Sequence, residues 1–277
     1  MASNGQPNPH RALLASQLAR ISLKSRGSSL SIVLTVAIGV GALTIAFGLA
    51  DAAIWRQPPL ADAAHLVVIN STHTRAGRPE QRARWSYQRI QLMRKGATSF
   101  AQLANFTTST LTLTGRDEAE RVNGEIVSPD YFSMLEGRAE RGRVFVASDD
   151  QLGTAQPIVL LGHTLWERQF ASDASIVGKT VGINGHALTV IGVMPASFTG
   201  LSGKSQLWIP TVIAPTLTYP EYLTTDQNFI NVVARLKSEV SLARASGEMH
   251  QLSVQIFKAI PVVMPIRGLS RTLQCKL

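Results

Sequence analysis

The chain has one cysteine in 277 residues, Cys275. A single thiol permits no intrachain disulfide and no cysteine-based metal cage, so an exported domain here must be held by its packed core. The six histidines (His10, His65, His73, His163, His186 and His250) are dispersed, with no HExxH and no close pair. A metal site would therefore have to be assembled entirely by the fold. A phosphate loop is missing as well. Gly178-Lys179-Thr180 and Gly203-Lys204-Ser205 resemble its end, but Asp173 and Phe198 stand where its first glycine is required, so both read as turns. Gly200-Leu201-Ser202-Gly203 fails as a nucleophile elbow because Lys204 occupies the position of the second glycine. Asp149-Asp150 and the pair Glu118 and Glu120 lie in polar stretches without a visible acid/base partner and read as solvated loop charges. No catalytic, cofactor or metal residue is assigned, and the chain reads as a non-enzyme.

Charge is absent over one long stretch. Between Arg26 and Asp51 there is no Asp, Glu, Lys or Arg, and Leu, Ile, Val, Ala and Gly continue all the way round a helical projection. About two dozen such residues suffice to cross a hydrocarbon core of roughly 30 Å. Residues 28–55 are therefore read as a transmembrane helix ending at Trp55, an interfacial anchor, with Pro58 and Pro59 breaking the helix and making a hinge with Trp55. Ala37 with Gly41 and Thr44 with Gly48 form two small-xxx-small pairs on which another helix can pack. The competing reading is a signal peptide cut near Ala50-Asp51-Ala52, but a signal core runs about 7–15 residues, so length favours an uncleaved anchor.

The net charge of +9 has a location. Arg11, Arg20, Lys24 and Arg26 precede the span without any acid among them, which predicts a cytoplasmic N-terminus and an extracytoplasmic main domain. Residues 1–27 are thus a basic juxtamembrane segment, with Leu13, Leu14, Leu18 and Ile21 at helical spacing. Beyond the span, basic residues are scattered among acids without interleaved aromatics, which argues against nucleic-acid binding.

After the hinge, periodicity predicts a strand at 66–69 and a polar loop over 71–84. A helix follows with Tyr87, Ile90 and Met93 on one face, then a strand pair at 100–106 and 109–114. Val122 begins another strand, and Ser128-Pro129-Asp130 starts a helix carrying Tyr131, Phe132 and Leu135. PIVLLG reads as a buried strand, HTLWERQF as a helix with Trp166 and Phe170 in the core, and KTVGINGHALTVIGVMP as a hairpin turned on Asn184-Gly185. LWIP and NVVARL are further strands. Ser241 caps a last helix, with Leu242, Ala245, Met249 and Leu252 on its inner side. Strands and helices mix without strict alternation, which predicts α+β.

This order of motifs resembles that of MacB-like (FtsX-like) ABC transporter permeases: LADAAIWRQPPL, HLVVIN, LTLTG, ERVNGEIVSPDYFSMLEGRAERGRVF, PIVLLGHTLWERQF, VGKTVGINGHALTVIGVMPASF, LWIP and VVARLK. The resemblance implies a periplasmic core domain over 56–256, with a porter-like subdomain and a β-rich insertion at roughly 146–204. It also implies efflux or antimicrobial-peptide transport, with no bound cofactor in this chain. The implied partners are a separate ABC ATPase subunit, other permease spans or a second permease copy, the membrane, and a periplasmic partner protein. Motion driven by the ATPase would pass through the span to the outer domain, a scheme called mechanotransmission, in a bacterial inner (cytoplasmic) membrane. An alternative is a non-enzymatic periplasmic binding module, secreted or anchored. Where the family pattern continues into three more spans, residues 257–277 read FKAIPVVMPIRGLSRTLQCKL, a divergent tail expected of a fragment.

Overall fold

The computed structural model describes residues 36–41, 65–73, 81–114, 119–261 and 273–276. The chain divides into two units, Met1–Pro59 and Leu60–Leu277. In the first, residues 36–41 form a helical segment, α1, with all six residues exposed. Most of the expected 28–55 span lies outside the described residues. Among those that are described, no helix is long and apolar enough to cross a membrane.

The second unit is a mixed α+β domain. Its strands are β1 (Leu66–His73), β2 (Gln81–Ala83), β3 (Phe100–Thr114), β4 (Glu120–Val127), β5 (Arg141–Gly142), β6 (Ile158–Gly162), β7 (Thr180–Ile183), β8 (His186–Met194), β9 (Leu207–Pro210), β10 (Asn231–Leu236) and β11 (Leu273–Lys276). The helices are α2 (Tyr87–Gly96), α3 (Asp130–Met134), α4 (His163–Phe170), α5 (Ala214–Leu217) and α6 (Leu242–Ala259). The sheet runs β11-β1-β10-β3-β4-β9-β6-β8-β5, with β2 on β1 and β7 on both β3 and β8.

The first four strands of that order contain a simple rule. Strand β10 is antiparallel to both β1 and β3, so β1 and β3 are parallel and α2 is their crossover. Likewise β10 and β11 are both antiparallel to β1, which makes them a parallel pair crossed by α6. Two interleaved β-α-β units result, the β-α-β-β-α-β pattern of ferredoxin-like domains. All the remaining strands from β4 to β9 are inserted between β3 and β10, and the expected 146–204 insertion falls inside that stretch.

Strand β3 joins the two regions. Residues 100–106 pair with β10 and residues 106–113 with β4. A single 15-residue strand therefore replaces the strand pair that the sequence suggests. No turn residue interrupts Phe106-Thr107-Thr108, and β-branched threonines favour continued extension. Residues 71–73 and 81–83 likewise extend β1 and form β2, where a loop is expected. Asn184 (φ 50°) and Gly185 (φ 81°) make the left-handed turn that a two-residue β7–β8 hairpin needs.

The two sheet faces bury separate clusters. One collects Val67 and Ile69 from β1, Ile90 and Met93 from α2, and Ala245, Met249 and Ile256 from α6. Each fully buried aliphatic side chain contributes about 1.5–3 kcal/mol, enough for these two helices to hold the face. The other cluster is aromatic: Tyr131, Phe132, Phe145 and Trp208, with Phe198 packed against it. Phe132 meets Phe145 edge-on at 5.5 Å between centroids, and Phe198 meets Trp208 at 5.4 Å. Leu242 departs from expectation; it is 42% exposed at the first turn of α6, where Ser241 Oγ caps by accepting from the Arg244 amide (3.3 Å).

Gly142 (φ +68°) pairs β5 closely with Gly192 of β8, and a Cβ there would collide with the Ile191 carbonyl oxygen. Gly142→Ala is expected to detach β5 from β8 and to lower unfolding stability by about 1–3 kcal/mol, measured by denaturant titration.

Candidate functional site

Helix α2 presents Tyr87, Ile90 and Met93 to the core, and Arg89 is buried beside them with 0% exposure. A buried guanidinium needs oxygen partners from elsewhere in the chain. Nη1 donates to the Asp226 carbonyl (2.5 Å), to Asn228 Oδ1 (2.8 Å) and to Ser86 Oγ (3.3 Å). Nη2 donates to the carbonyls of Ile260 (3.1 Å) and Pro261 (3.3 Å), just past the end of α6. Both carbonyls lie just past the C-terminus of α6, whose partial negative charge favours a nearby cation. The guanidinium also lies 5.3 Å from the centre of the Phe257 ring, which stacks on Trp85 (5.9 Å). Trp85 Nε1 in turn donates to the Ile69 carbonyl of β1 (2.7 Å). One cation thus fastens the start of α2 to the end of α6 and to the 226–228 loop.

The opposite face holds a buried acid. Glu125 on β4 is 0% exposed; Oε2 accepts from Tyr131 Oη (2.5 Å) and Trp208 Nε1 (3.0 Å), and Oε1 from the Ser202 amide (2.7 Å). Tyr131 Oη also accepts from the Leu201 amide (2.6 Å). Burial, followed by the adjacent Glu125, pushes the Tyr131 phenol well above its usual range, so it stays a donor. The 200–205 loop is thereby pinned over the aromatic cluster. Gly200 (φ +71°) lies so near Glu125 that a Cβ there would collide with Oε2.

That pinned loop borders a surface groove of about 290 Å³, lined by His163, Leu165, Phe198, Lys204 and Gln206 among others. A shallower hollow of about 100 Å³ shares Asn123 and Lys204 with it and continues onto Thr108 and Thr110 of β3. His163 Nδ1 sits 2.9 Å from Glu140 Oε1 at its margin. The lining mixes one cation, uncharged polar groups and apolar side chains, which suits non-covalent contact with another molecule.

Sequence-derived site residues fall mostly elsewhere. Ala37 and Gly41 lie on α1, where a Cβ at Gly41 would meet nothing within 4 Å. Thr44, Gly48, Trp55, Pro58 and Pro59 lie outside the described residues. Gly178 and Gly203 have φ of +88° and +69°, and each Gly-Lys-Ser/Thr fragment forms a turn. Trp166 is buried and Phe170 packs against the core from α4. Glu118 lies outside the described residues, and the other grouped acids, Asp149, Asp150 and Glu120, are not solvated loop charges. Asp149 is clasped by Arg143 at 2.6 and 3.0 Å, and Asp150 accepts from the Val212 amide at 2.9 Å. Glu120 belongs to β4, pairs with Arg168 at 2.6 Å and accepts from Gln169 Nε2. Among the described residues, no group of three or more His, Cys, Asp or Glu side chains stands together as a metal site. Sequence reasoning passed over Arg89 and Glu125. Their signal is a lone charge inside an apolar pattern: Arg89 between Tyr87 and Ile90, and Glu125 ahead of Ile126-Val127.

Two interleaved β-α-β units with a β-rich insertion define a mixed α+β domain of split ferredoxin-like type. The chain belongs to the MacB-like periplasmic core domain family, whose match spans residues 29–252. Among solved structures it is similar to the periplasmic region of MacB from Actinobacillus actinomycetemcomitans, at 15% identity and a TM-score of 0.55. That alignment covers 78% of this chain and 94% of the other. It is also similar to the extracellular domain of the noncanonic ABC-type transporter YknZ from Gram-positive bacteria, at 16% identity and a TM-score of 0.53, covering 76% of this chain and 100% of that one. Both likenesses concern the fold. Comparison with curated proteins gives no match.

Glu125→Gln turns an acceptor into an amide donor that faces the Trp208 and Tyr131 donors or the Ser202 amide. The expected loss is about 2–3 kcal/mol of unfolding stability. Adding Trp208→Phe is expected to cost less in the Glu125→Gln background than in the wild type, as a double-mutant cycle in urea would measure.

Proposed function

We propose that the chain is a membrane-anchored permease subunit, or part of one, of an ABC-type efflux or antimicrobial-peptide transporter. Residues 28–55 span the bacterial inner membrane with residues 1–27 in the cytoplasm, and the 56–256 core domain stands outside. A separate ATPase supplies the motion, and the domain carries it to a substrate or periplasmic partner. The observation that supports this reading most directly is the pairing of β11 with β1. Their antiparallel register sets Lys276 opposite Val68, so the chain enters β1 and leaves β11 at the same end of the sheet. A domain inserted between two spans needs that geometry, because force applied at its base then acts on two neighbouring strands.

Within this reading Trp55, Pro58 and Pro59 serve as the hinge at the foot of the domain. Ala37, Gly41, Thr44 and Gly48 form the face on which other spans, or those of a second permease copy, pack. The motion is a rigid-body displacement rather than a chemical step in this chain. Arg89 supports rigidity by binding α2, the 226–228 loop and the end of α6 into one body.

Topology and partnership are tested separately. Alkaline phosphatase fused after residue 261 is expected to be active in intact cells and inactive when fused after Arg20; the reverse pattern refutes the orientation. Purification in mild detergent is expected to retain an ABC ATPase subunit, and its absence from crosslinked membranes as well would refute the coupled role.

A further inference from the structure

The 200–205 loop does more than cover the aromatic cluster; it presents a lysine. The Ser205 amide donates to the Thr199 carbonyl (2.9 Å) and the Gly203 amide to the Gly200 carbonyl (3.2 Å), closing the loop on two glycines of positive φ. Ser202 Oγ lies 2.9 Å from Ser205 Oγ, and the Ser202 amide donates to Glu125 Oε1 (2.7 Å). Lys204 is thus exposed on a backbone fixed on both sides. It lines both the hollow of about 290 Å³ and that of about 100 Å³, and no other Lys, Arg, Asp or Glu lines either. Among the described residues its ammonium has no ion-pair partner. Glu125, beneath the loop, is sealed from solvent by its own donors, and Glu140 at the margin is engaged by His163 (2.9 Å). Gln206 closes the strand edge alongside. Its amide donates to the Asn123 carbonyl (2.8 Å), its Oε1 accepts from the Asn123 amide (3.0 Å), and its carbonyl accepts from the Gly162 amide (2.7 Å). Asn123 therefore has no backbone group left for an added strand, and whatever enters the groove is recognised through side chains.

We propose that the two hollows form one site for an acidic segment of a partner protein, in which Lys204 pairs with a carboxylate and the larger hollow takes an adjacent apolar side chain. The lining carries one formal charge and it is positive, so an anion is the ion it compensates. One ammonium matches a carboxylate, whereas a phosphate dianion would be left half-compensated. Leu165, Pro195 and Phe198 give the larger hollow its apolar wall, while Thr108 and Thr110 line the smaller with hydroxyls. Their volumes stand at the low end of the roughly 300–1,000 Å³ typical of ligand pockets, room for a few side chains rather than a large body. A basic amphipathic peptide would bring like charge to Lys204, so the site suits a partner and not such a cargo. The partner's place outside the cytoplasm rests on the permease reading above; the charge preference rests on the groove alone.

The test uses the full chain in detergent micelles to select from a randomised library of short displayed peptides, with wild type and Lys204→Glu run side by side. Wild type is expected to enrich peptides in which an acid neighbours a leucine, valine or phenylalanine. Lys204→Glu is expected to enrich basic residues in place of the acid. The same peptides enriched by both chains, or no enrichment by the wild type, overturns the proposal. A second reading needs the wild type alone and so survives a misfolded variant. An enriched acidic peptide, once synthesised, is expected to bind about fivefold more tightly than its glutamine counterpart at about 0.05 M salt, the gap closing at about 0.5 M. Equal affinities at low salt would overturn it equally. Neither measurement involves an ATPase, so failure here leaves the coupled role standing, and loss of the ATPase partner leaves this site standing.

Discussion

A buried guanidinium must be surrounded by acceptors or it unfolds its own site, and Arg89 meets that demand with Ser86 at the start of its own helix and oxygens from two distant chain segments. Much of the domain's closure follows from this. The carbonyls at Ile260 and Pro261 have no further turn of α6 to bond, so the helix end and the cation satisfy each other. The planar fork reaches both groups at once, which a lysine ammonium could not do with the same fixed geometry. Because Phe257 covers the guanidinium and stacks on Trp85, and Trp85 bonds the backbone of β1, the tie extends from helix to helix to sheet. Displacing α6 from α2 would expose a charge as well as apolar surface.

Glu125 applies the same logic on the other face with the opposite sign. It sits in β4 between Gly124 and Ile126, and its three donors come from α3, β9 and the 200–205 loop. Arg89 and Glu125 belong to different buried environments, each with partners of its own. Neither compensates the other, so each face of the sheet has its own fixed point. For a domain proposed to carry displacement, this is a useful division. The two crossover helices are locked together on one side, the groove-bearing insertion is locked on the other, and β3 runs unbroken through both.

Local grammar made much of this fold legible. Helix α4 coincides with HTLWERQF because its apolar residues recur at helical spacing after an apolar strand. The β7–β8 hairpin was readable because Asn-Gly is among the few pairs that tolerate left-handed conformations at both turn positions. Length of β3 was not legible, since nothing in FTTST distinguishes one long strand from two short ones until β10 and β4 claim its two halves. Nor were the polar centres. Arg89 and Asp150 find their partners across 137 and 62 positions of sequence, a separation at which spacing carries no information about contact. The Asp149-Asp150 pair illustrates the limit well, because adjacent identical side chains found different partners, one clasped by Arg143 and one bonded to the Val212 amide.

Sheet order then links fold to the proposed role. In a split β-α-β arrangement the first and last strands are neighbours, so insertions between the inner strands leave the start of β1 and the end of β11 beside one another. The β-rich part can grow at the far side of β3 without disturbing β1 and β11. Load applied at those two strands meets backbone hydrogen bonds acting in parallel, and reaches α2 and α6 through Val67, Ile69 and the Arg89 tie. From there it crosses to the insertion by β3, which pairs with β10 through one half and with β4 through the other, so base and groove share one unbroken strand.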